Sequence, residues 1–357
     1  MMSNEFSFMQ QGDPVFSGEN ELSLFEELLN RPNDFSKFLI VCDDNTYEHC
    51  LPILKKHLPS SIPFDFFKME SGESSKSISV CESIWQKMTA MKMGRNDLLI
   101  NLGGGVVCDV GGFVAATYLR GISFVNIPTS LMGMVDAGLG GKNGIDLNHH
   151  KNRVGLFAFP IATVCDPVFL NTLPEMEWKN GCAEVFKHAL IGDAQLFETL
   201  SVDGCTREIF TSLMHSIQAV KLKVVEDDPF EDGFRKVLNF GHTVGHAIES
   251  ASLKTDASPL SHGEAIAMGM IIENEVMFKL GGLDASINSK CREVLEKYLT
   301  KVKINSYSED DLLEWMQYDK KNANNIIRMS LITGIGSCSW NVEVPKEIIR
   351  SALQSFR

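Results

Sequence analysis

The sequence predicts an α/β domain with a parallel sheet, followed by a helical domain. In the first half, short apolar runs alternate with helical segments, which is the pattern of βαβ units. From about Leu173-Pro174-Glu175 onward, the strand patterns fade and long helical periods replace them. The chain of 357 residues is also longer than a single ordinary core. We therefore expect an α/β domain over residues 1–170 and a helical domain over residues 171–357.

Individual elements follow from the same patterns. Three apolar runs have the length of strands and stop at turn-forming or polar residues: Phe38–Cys42, Asp97–Leu102 and Phe124–Ile127. Because ligands bind at the carboxyl ends of strands in open α/β sheets, the residues after these runs are candidates for a binding site. In the second half, the clearest helical periods are Thr206–Glu226 and Glu264–Leu280, the latter ended by two glycines.

Composition excludes several classes of partner. Lys and Arg number 33 against 46 Asp and Glu, and this net charge of −13 argues against a nucleic-acid or anionic membrane surface. No apolar run reaches the roughly 18 residues that cross a bilayer, and the first residues lack the features of a signal peptide. We therefore expect a cytoplasmic protein. The nine cysteines include no CxxC pair, so we expect them to be reduced core residues.

A glycine-rich stretch follows the second predicted strand. Gly103-Gly104-Gly105-Val106-Val107-Cys108-Asp109 opens a helix-like segment, and glycines there let backbone N–H groups approach a pyrophosphate. A tight turn gives the same pattern. Asp43 and Asn45 at another strand end suit ribose hydroxyls, and Glu73 and Lys76 lie on a polar segment. Together these residues favour a dinucleotide site, whereas each alone is typical of a solvated surface.

Cations beside glycines indicate an anionic ligand. Asp136 to Gly144 combines a carboxylate, several glycines and Lys142, and Lys151-Asn152 follows shortly. A lysine among glycines offers a point charge for phosphate or carboxylate, although a mobile surface loop is the alternative.

Further cations lie close to the histidines and near the end of the chain. Lys221, Lys223, Arg235 and Asn239 precede the histidines, and Asp319-Lys320-Lys321-Asn322 comes later. In an acidic protein, such cations suit a substrate with phosphate and carboxylate groups. A solvated charged face is the other interpretation for Lys223 and Lys321.

Metal-capable residues concentrate in the second half. His242 and His246 are four residues apart, so on a helix they face the same way and could hold one Zn²⁺, with His262 completing the set. Upstream, Glu184 and Lys187 share a helix face and could form a simple ion pair. Histidines beside glycine and alanine are also ordinary helix-packing residues. Spacing alone favours His242 with His246.

Together these stretches resemble the 3-dehydroquinate synthase family of sugar phosphate cyclases. The resemblance runs from Asp43 to the Asp319-Lys320-Lys321-Asn322 region. Its most specific motifs are Gly103–Asp109, Tyr118–Gly121, Ile127–Leu131, Val135–Lys142, Lys151-Asn152, Ala183–Lys187, Leu238–His242 and His262–Glu264.

The resemblance implies a Rossmann-like NAD-binding α/β domain, a helical metal- and substrate-binding domain, and a homodimer. Its cofactors are NAD and Zn²⁺, with Co²⁺ as an alternative metal. The implied reaction converts 3-deoxy-D-arabino-heptulosonate 7-phosphate to 3-dehydroquinate and phosphate in the shikimate pathway of aromatic amino-acid biosynthesis. It proceeds by transient oxidation with NAD, phosphate elimination, re-reduction and intramolecular aldol closure.

The resemblance also implies roles residue by residue. The implied metal ligands are Glu184, His242 and His262. The implied NAD contacts are Asp43, Asn45, Glu73, Lys76, Gly104, Gly105, Val106, Asp109, Thr129, Ser130, Asp136, Lys142 and Lys151. The implied catalytic residues are His246, Lys142, Asn152, Lys187, Arg235 and Glu231. The implied substrate contacts are Asp136, Lys151, Lys221, Asn239, Lys320 and Arg120, the last reaching the phosphate in the neighbouring subunit.

Some positions depart from the family pattern. Cys108 stands where a glycine is usual, Asn143 where a threonine is usual, and Pro229 lies within an altered acidic motif. About four extra residues lie between His246 and His262. Alternative functions are another sugar phosphate cyclase, acting on a sedoheptulose or hexose phosphate, a metal-dependent polyol dehydrogenase, or a non-catalytic NAD-binding homologue. A carboxylate-binding Arg235 favours the heptulosonate substrate over those of the other cyclases.

Overall fold

The computed structural model describes residues 7–10, 13–30, 35–148, 150–299, 306–317 and 327–356. The chain forms two compact units. The sheet unit comprises Met1–Trp178 and Lys221–Pro229, and the helical unit comprises Lys179–Val220 and Phe230–Arg357. The domain boundary near residue 170 stays a prediction.

A mostly parallel sheet forms the centre of the sheet unit. The strands in this half of the chain are β1 (Ser7–Gln10), β2 (Asp13–Ser17), β3 (Phe38–Asp43), β4 (Phe64–Met69), β5 (Leu98–Gly103), β6 (Ser123–Pro128), β7 (Lys142–Leu147), β8 (His150–Phe157) and β9 (Ala162–Cys165). Seven of these described strands pair in the order β1-β2-β9-β6-β5-β3-β4, while β7 and β8 form a separate antiparallel hairpin. Neighbours in the large sheet are parallel except β1 with β2. This sheet confirms the predicted α/β class.

The central strands are buried on both faces. All six residues of β5 are buried, and Phe38–Cys42 of β3 are fully inaccessible. Continuous apolar runs of this kind are typical of parallel strands covered by helices on both sides. The three strands predicted from the sequence correspond to β3, β5 and β6, with ends that differ by one residue.

Helices alternate with these strands. They are α1 (Glu21–Leu29), α2 (Asp44–His49), α3 (Leu51–Leu54), α4 (Ile78–Ala90) and α5 (Gly105–Thr117). Helix α5 follows β5 directly, and its Val107, Val110 and Val114 join a core cluster with Leu39 and Leu99 of the sheet. The glycine-rich stretch therefore connects a buried strand to a buried helix, as the sequence predicts.

The second half of the chain is mainly helical. Its helices are α6 (Glu175–Gly192), α7 (Ala194–Asp203), α8 (Arg207–Asp227), α9 (His242–Thr255), α10 (His262–Lys279), α11 (Ala285–Glu296), α12 (Glu309–Gln317) and α13 (Lys346–Phe356). The two helices predicted from the sequence correspond to α8 and α10. A hairpin of β10 (Ile327–Gly334) and β11 (Ser337–Val344) is an addition that the sequence patterns did not indicate. Most of β11 is exposed or half-buried, so it lacks an apolar run.

Helix α10 is a core helix of the helical unit. Ten consecutive residues, Ala265 to Asn274, are buried. A helix that is buried all round lies inside a domain rather than on its surface. Its first residue is His262, and Glu273 is fully inaccessible within its buried stretch.

Two further expectations concern cysteines and membranes. All nine cysteines lie among the described residues as thiols outside any disulfide, and all but the half-buried Cys338 are buried, as expected for reduced core residues. Among the described residues, no helix combines the length and the apolar composition needed to cross a membrane.

Candidate functional site

Three helices of the helical unit bring a carboxylate and two histidines together. His242 is the first residue of α9, His262 is the first residue of α10, and Glu184 lies within α6. The start of α10 is fixed by a capping box, in which Ser261 and Glu264 bond each other's backbone N–H groups. Helix starts therefore set the positions of both histidines.

Two glycines let the three helices approach closely. A β-carbon at Gly263 would lie 2.2 Å from the Asn180 carbonyl oxygen, so no larger residue fits between α10 and α6. The Gly263 N–H also donates to the Asn180 side chain. At Gly269, a β-carbon would lie 2.0 Å from the Gly241 carbonyl oxygen of the α9 start. This close backbone packing brings His262 near Glu184 and His242.

The donor atoms converge on one point. Glu184 Oε1 lies 3.5 Å from His242 Nε2 and 3.4 Å from His262 Nε2. One ligand atom from each of these three residues lies within 4.8 Å of the others. One carboxylate and two imidazoles form a donor set that suits Zn²⁺ or Co²⁺, and three protein ligands leave a position open for substrate.

Hydrogen bonds to the other ring nitrogens orient both histidines. His242 Nδ1 lies 3.0 Å from the Phe240 carbonyl oxygen, and His262 Nδ1 lies 3.5 Å from Glu249 Oε1. A neutral imidazole that donates from Nδ1 presents Nε2 as its acceptor. Both Nε2 atoms face Glu184, so the arrangement fits a metal bound through Nε2.

Burial and charge set the protonation of the cluster. Burial, together with the nearby Lys187 ammonium, holds the pKa of His242 well below its usual value. For His262, burial disfavours the charged ring, but hydrogen bonds and charges from Glu184 and Glu249 outweigh it and raise the pKa to about 9. Lys187 contacts Glu184 through Nζ, and both side chains are only 1% exposed. Metal binding would release the proton held by His262.

His246 occupies a different position from His242. Its ring centre lies 5.1 Å from that of His242 and 5.9 Å from that of His262, and the residue is exposed. Among the described residues of this unit, His246 converges with Glu249 and His262, whereas His242 converges with Glu184 and His262. The structure therefore does not bring His242 and His246 into one donor group, although they share a helix face.

Other predicted residues of the helical unit lie before α9. Arg235 is 1% exposed and belongs to a short 3₁₀ helix, Phe234–Asn239. The Asn239 side-chain amide donates to Glu231 Oε1 at 3.1 Å. Glu231 has a φ of +62°, an uncommon backbone conformation for a residue other than glycine. Lys320 lies outside the described residues.

In the sheet unit, the glycine loop lies at the carboxyl ends of β5 and β6. Gly104 is the N-cap of α5, and Thr129 N–H donates to the Gly103 carbonyl oxygen. A β-carbon at Gly104 would lie 3.2 Å from Ser130 Oγ. Gly105 and Val106, in the first turn of α5, are half-buried. The start of α5 thus offers free backbone N–H groups of the kind that bind a pyrophosphate.

A buried ion pair stands beside this loop. Lys76 Nζ lies 2.6 Å from Asp109 Oδ2, with side chains 5% and 18% exposed. Burial raises the pKa of Asp109 although Lys76 opposes that effect. Glu73 is exposed on the preceding turn. These contacts join two segments that the sequence singled out separately.

Asp43 and Asn45 follow β3. Asp43 caps α2 by accepting from the Thr46 N–H at 2.8 Å, and Asn45 is exposed and donates to Ser71 Oγ at 3.1 Å. Asp43 is half-buried, and one carboxylate oxygen, Oδ1, is occupied by the cap. Both residues lie at the carboxyl edge of the sheet, where ligands bind.

The predicted anion-binding residues of the sheet unit lie in three places. Lys221 Nζ lies 2.5 Å from both the carbonyl oxygen and Oδ1 of Asp136. Lys142, Lys151 and Asn152 belong to the β7–β8 hairpin and are exposed, and Asn152 N–H donates to Asp146 Oδ1. Arg120 is exposed near a turn, with a φ of +67°.

Two of the positions that depart from the family pattern are structural. Asn143 is buried and its amide donates to the carbonyl oxygens of Gly141 and Ala158, at 2.9 and 2.8 Å. A β-carbon at Gly112 would lie 1.8 Å from the Asn143 Oδ1. Cys108 is buried in α5. Asn143 therefore fills space on the face of α5 and holds the turn before Lys142.

Sequence reasoning missed two buried glutamates around the histidines. Glu249 lies two helical turns after His242, and Glu273 lies three turns after His262. They are 5% and 0% exposed. Acidic residues inside otherwise apolar helical periods are the signal that could have revealed them.

Comparison with solved structures identifies the class of protein. A 2-epi-5-epi-valiolone synthase from Streptomyces hygroscopicus, with NAD⁺ and Zn²⁺ bound, is 26% identical and has a TM-score of 0.85, covering 100% of this chain and 98% of that one. A 2-deoxy-scyllo-inosose synthase is 22% identical with a TM-score of 0.86, covering 96% of each chain. An iron-containing alcohol dehydrogenase shares the fold more distantly, with a TM-score of 0.65. The fold is that of the sugar phosphate cyclases.

Sequence comparison then identifies the family. Models described as the N-terminal and C-terminal parts of 3-dehydroquinate synthase match residues 66–180 and 181–322. A 3-dehydroquinate synthase of Parabacteroides distasonis is 36% identical over 348 residues, covering 95% of this chain and 98% of the relative. One of Campylobacter jejuni subsp. doylei is 37% identical over 297 residues, covering 81% and 84%. The chain belongs to the 3-dehydroquinate synthase family.

Proposed function

We propose that this protein converts 3-deoxy-D-arabino-heptulosonate 7-phosphate to 3-dehydroquinate and phosphate, using NAD and a divalent metal. Family membership over most of the chain supports the reaction class. The observation that carries the proposal is the convergence of Glu184, His242 and His262 at the starts of two helices. A buried donor set of this kind suits an enzyme that binds hydroxyl groups of a sugar phosphate through a metal.

Glu184, His242 and His262 would hold Zn²⁺ or Co²⁺. The metal would supply electrophilic stabilisation of a substrate alkoxide, and NAD would supply a reversible acceptor for hydride. Lys187, in contact with Glu184, places a positive charge against that carboxylate inside a buried site. The Phe240 carbonyl and Glu249 hold the two imidazole rings with Nε2 towards Glu184.

In the sheet unit, the N-terminal turn of α5 would bind the pyrophosphate of NAD. Gly104, Gly105 and Val106 present backbone N–H groups there, and the helix dipole favours an anion. The remaining proposed NAD contacts are Asp43, Asn45, Glu73, Lys76, Asp109, Thr129, Ser130, Asp136, Lys142 and Lys151. Asp43 and Asn45 lie at the end of β3, Thr129 and Ser130 follow β6, and Lys76 pairs with Asp109 of α5, which supports this part of the assignment.

The substrate would be held at both ends by cations. Arg235, Lys142 and Asn152 would bind the carboxylate end, because a buried arginine suits a planar carboxylate. Lys187, Lys320 and Arg120 would bind the phosphate. The proposed contacts to the rest of the substrate are Asp136, Lys151, Lys221, Asn239 and Glu231. His246, exposed beside the donor cluster, would donate and accept protons at the reacting hydroxyls.

We also propose a cytoplasmic homodimer in which Arg120 completes the phosphate site of the neighbouring subunit. The exposure of Arg120 supports this role. A sedimentation measurement that gives the mass of a single chain in dilute solution would contradict the dimer. The shared site is tested by mixing Arg120→Ala chains with inactive Lys187→Met chains. Mixed dimers recover activity only if Arg120 acts across the interface.

The test of the reaction is phosphate release from a panel of sugar phosphates. Purified enzyme with NAD and Zn²⁺ should release phosphate from the heptulosonate phosphate and not from sedoheptulose or hexose phosphates, without net NADH. Release from the other sugars alone would identify a different cyclase, and NADH accumulation would identify a polyol dehydrogenase. Glu184→Gln should abolish release, whereas Glu177→Gln, an exposed position on the same helix, should not.

A further inference from the structure

Glu249 on α9 lies against His262. Its side chain is 7% exposed, and Oε1 lies 3.5 Å from Nδ1 of His262 on α10. The other ring nitrogen of His262 lies 3.4 Å from Glu184 Oε1. The imidazole is therefore held between two carboxylates, and Glu249 fixes both its orientation and the nitrogen that faces Glu184.

Glu273 on α10 is fully inaccessible and lies against the start of α9. Its Oε2 accepts from the Gly241 N–H at 2.6 Å, and its Oε1 accepts from the Val244 N–H at 3.0 Å. These N–H groups belong to the start of α9, where Gly241 has a φ of +80° and no side chain to cap the helix. Glu273 supplies the missing cap from another helix and so fixes the residue between them, His242.

Packing alone does not favour a glutamate at either position. A buried carboxylate is costly unless charged or hydrogen-bonded partners replace its water, and an apolar residue at either position would avoid that cost. Bonds from backbone N–H groups or an imidazole to a carboxylate are about twice as strong as neutral ones. These hydrogen bonds also have a fixed direction, so each carboxylate fixes the position of a histidine on the opposite helix.

We propose that Glu249 and Glu273 form a reciprocal carboxylate brace for the metal site. Helix α9 supplies one ligand, His242, and the carboxylate that holds the ligand of α10. Helix α10 supplies His262 and the carboxylate that holds the start of α9. The brace rests on the proposed metal site of Glu184, His242 and His262. Both glutamates act as positioning residues and neither binds the metal.

A second group of possible metal ligands includes Glu249 and gives an alternative to the brace. Atoms of His246, Glu249 and His262 also lie within 4.8 Å of one another, so Glu249 could instead be a ligand of a second metal ion. In His262, Nε2 faces Glu184 and Nδ1 faces Glu249. Metal stoichiometry separates the brace, which needs one ion per chain, from the two-metal arrangement.

The experiment measures zinc stoichiometry and zinc affinity by chelator competition, together with the d–d absorption spectrum of the Co²⁺-loaded protein. Glu249→Gln and Glu273→Gln should each bind one zinc with roughly 10–100-fold lower affinity, the usual loss when a partner of a ligand is removed. Their cobalt spectra should change, because the histidine geometry changes. Glu275→Gln is the matched control, since this α10 carboxylate bonds Asn288 and Lys279 rather than α9. Its zinc affinity and cobalt spectrum should match those of the wild type.

Separate outcomes would overturn the brace and the metal site. Wild-type zinc affinity in both brace variants, beside a loss in Glu184→Gln, would overturn the brace alone. Loss of a second zinc equivalent in Glu249→Gln, with the first retained, would make Glu249 a ligand and also overturn it. If the wild type binds no tight zinc, or Glu184→Gln keeps full affinity, the metal assignment fails and the brace with it. Where Glu273→Gln does not fold, Glu273→Asp keeps the charge on a shorter side chain and should lower the affinity in the same direction.

Discussion

The contact between α9 and α10 can be tested by adding a single methyl group at Gly269. In Gly269→Ala, the β-carbon would lie 2.0 Å from the Gly241 carbonyl oxygen and 2.7 Å from the Gly245 nitrogen. Ordinary contact begins at 3.4 Å, so the shorter distance is about 1.4 Å too small. Both opposing atoms are backbone, so no side chain can rotate away. The helices must separate.

The size of the effect follows from two opposing contributions. Alanine favours a helix over glycine by about 1 kcal/mol. Overpacking costs roughly 1–3 kcal/mol, and more where the backbone has to move. We expect a net loss of about 2 kcal/mol in the free energy of unfolding, which lowers the Tm by about 4–8 °C for a domain of this size. Because metal–ligand distances vary by only about 0.2 Å, moving the start of α9 should also weaken zinc binding at least about 10-fold.

The assay combines thermal unfolding of the metal-free protein with zinc affinity by chelator competition. Gly334→Ala is the matched control, because no atom lies within 4 Å of its added β-carbon and its φ is not positive. Its stability should stay within about 0.5 kcal/mol of the wild type. Equal Tm and equal zinc affinity in Gly269→Ala and Gly334→Ala would contradict the close packing of α9 against α10.

Three further predictions concern other parts of the chain. His246→Ala should keep full zinc occupancy and lose phosphate release; loss of zinc, measured by elemental analysis, would restore the pairing of His242 with His246. Lys76→Met should lower the free energy of unfolding by about 3–5 kcal/mol, because it leaves Asp109 buried without its cation. In urea denaturation, the double variant Lys76→Met with Asp109→Asn should recover most of this loss. An equal loss in the double variant would contradict this explanation. Burial raises the pKa of four thiols from 9.0 to about 12, those of Cys42, Cys50, Cys81 and Cys291. As the pH rises, the unfolded chain therefore loses these protons before the folded chain does. The free energy of unfolding should fall between pH 9 and about pH 12. Each thiol contributes about 1.4 kcal/mol per pH unit to that fall. The slope should therefore be shallower in Cys81→Ala between pH 9 and about pH 12, and an unchanged slope would exclude this cause.

Much of the fold could be predicted because its signals are local. Apolar runs followed by turn residues predicted β3, β5 and β6, since strands buried on both faces need uninterrupted apolar residues. The β10–β11 hairpin escaped prediction because β11 is mostly exposed or half-buried and carries no such run. Element ends differed by one or two residues, because caps such as the Ser261–Glu264 box decide where a helix begins.

For the candidate site, the contributions of the sequence and of the tertiary structure are easier to separate than for the fold. By itself, the sequence determined the α/β class, the glycine loop after β5, the metal-capable residue types and the motifs that resemble the family. Residue spacing could not determine which histidines converge, because it favours His242 with His246 on one helix, and the set of Glu184, His242 and His262 was implied only by the family resemblance. Only tertiary packing at Gly263 and Gly269 brings α6, α9 and α10 close enough to join His242 with Glu184 and His262. Glu249 and Glu273 gain their role in the same way, because a carboxylate positions a histidine only when another helix carries that histidine within hydrogen-bonding reach.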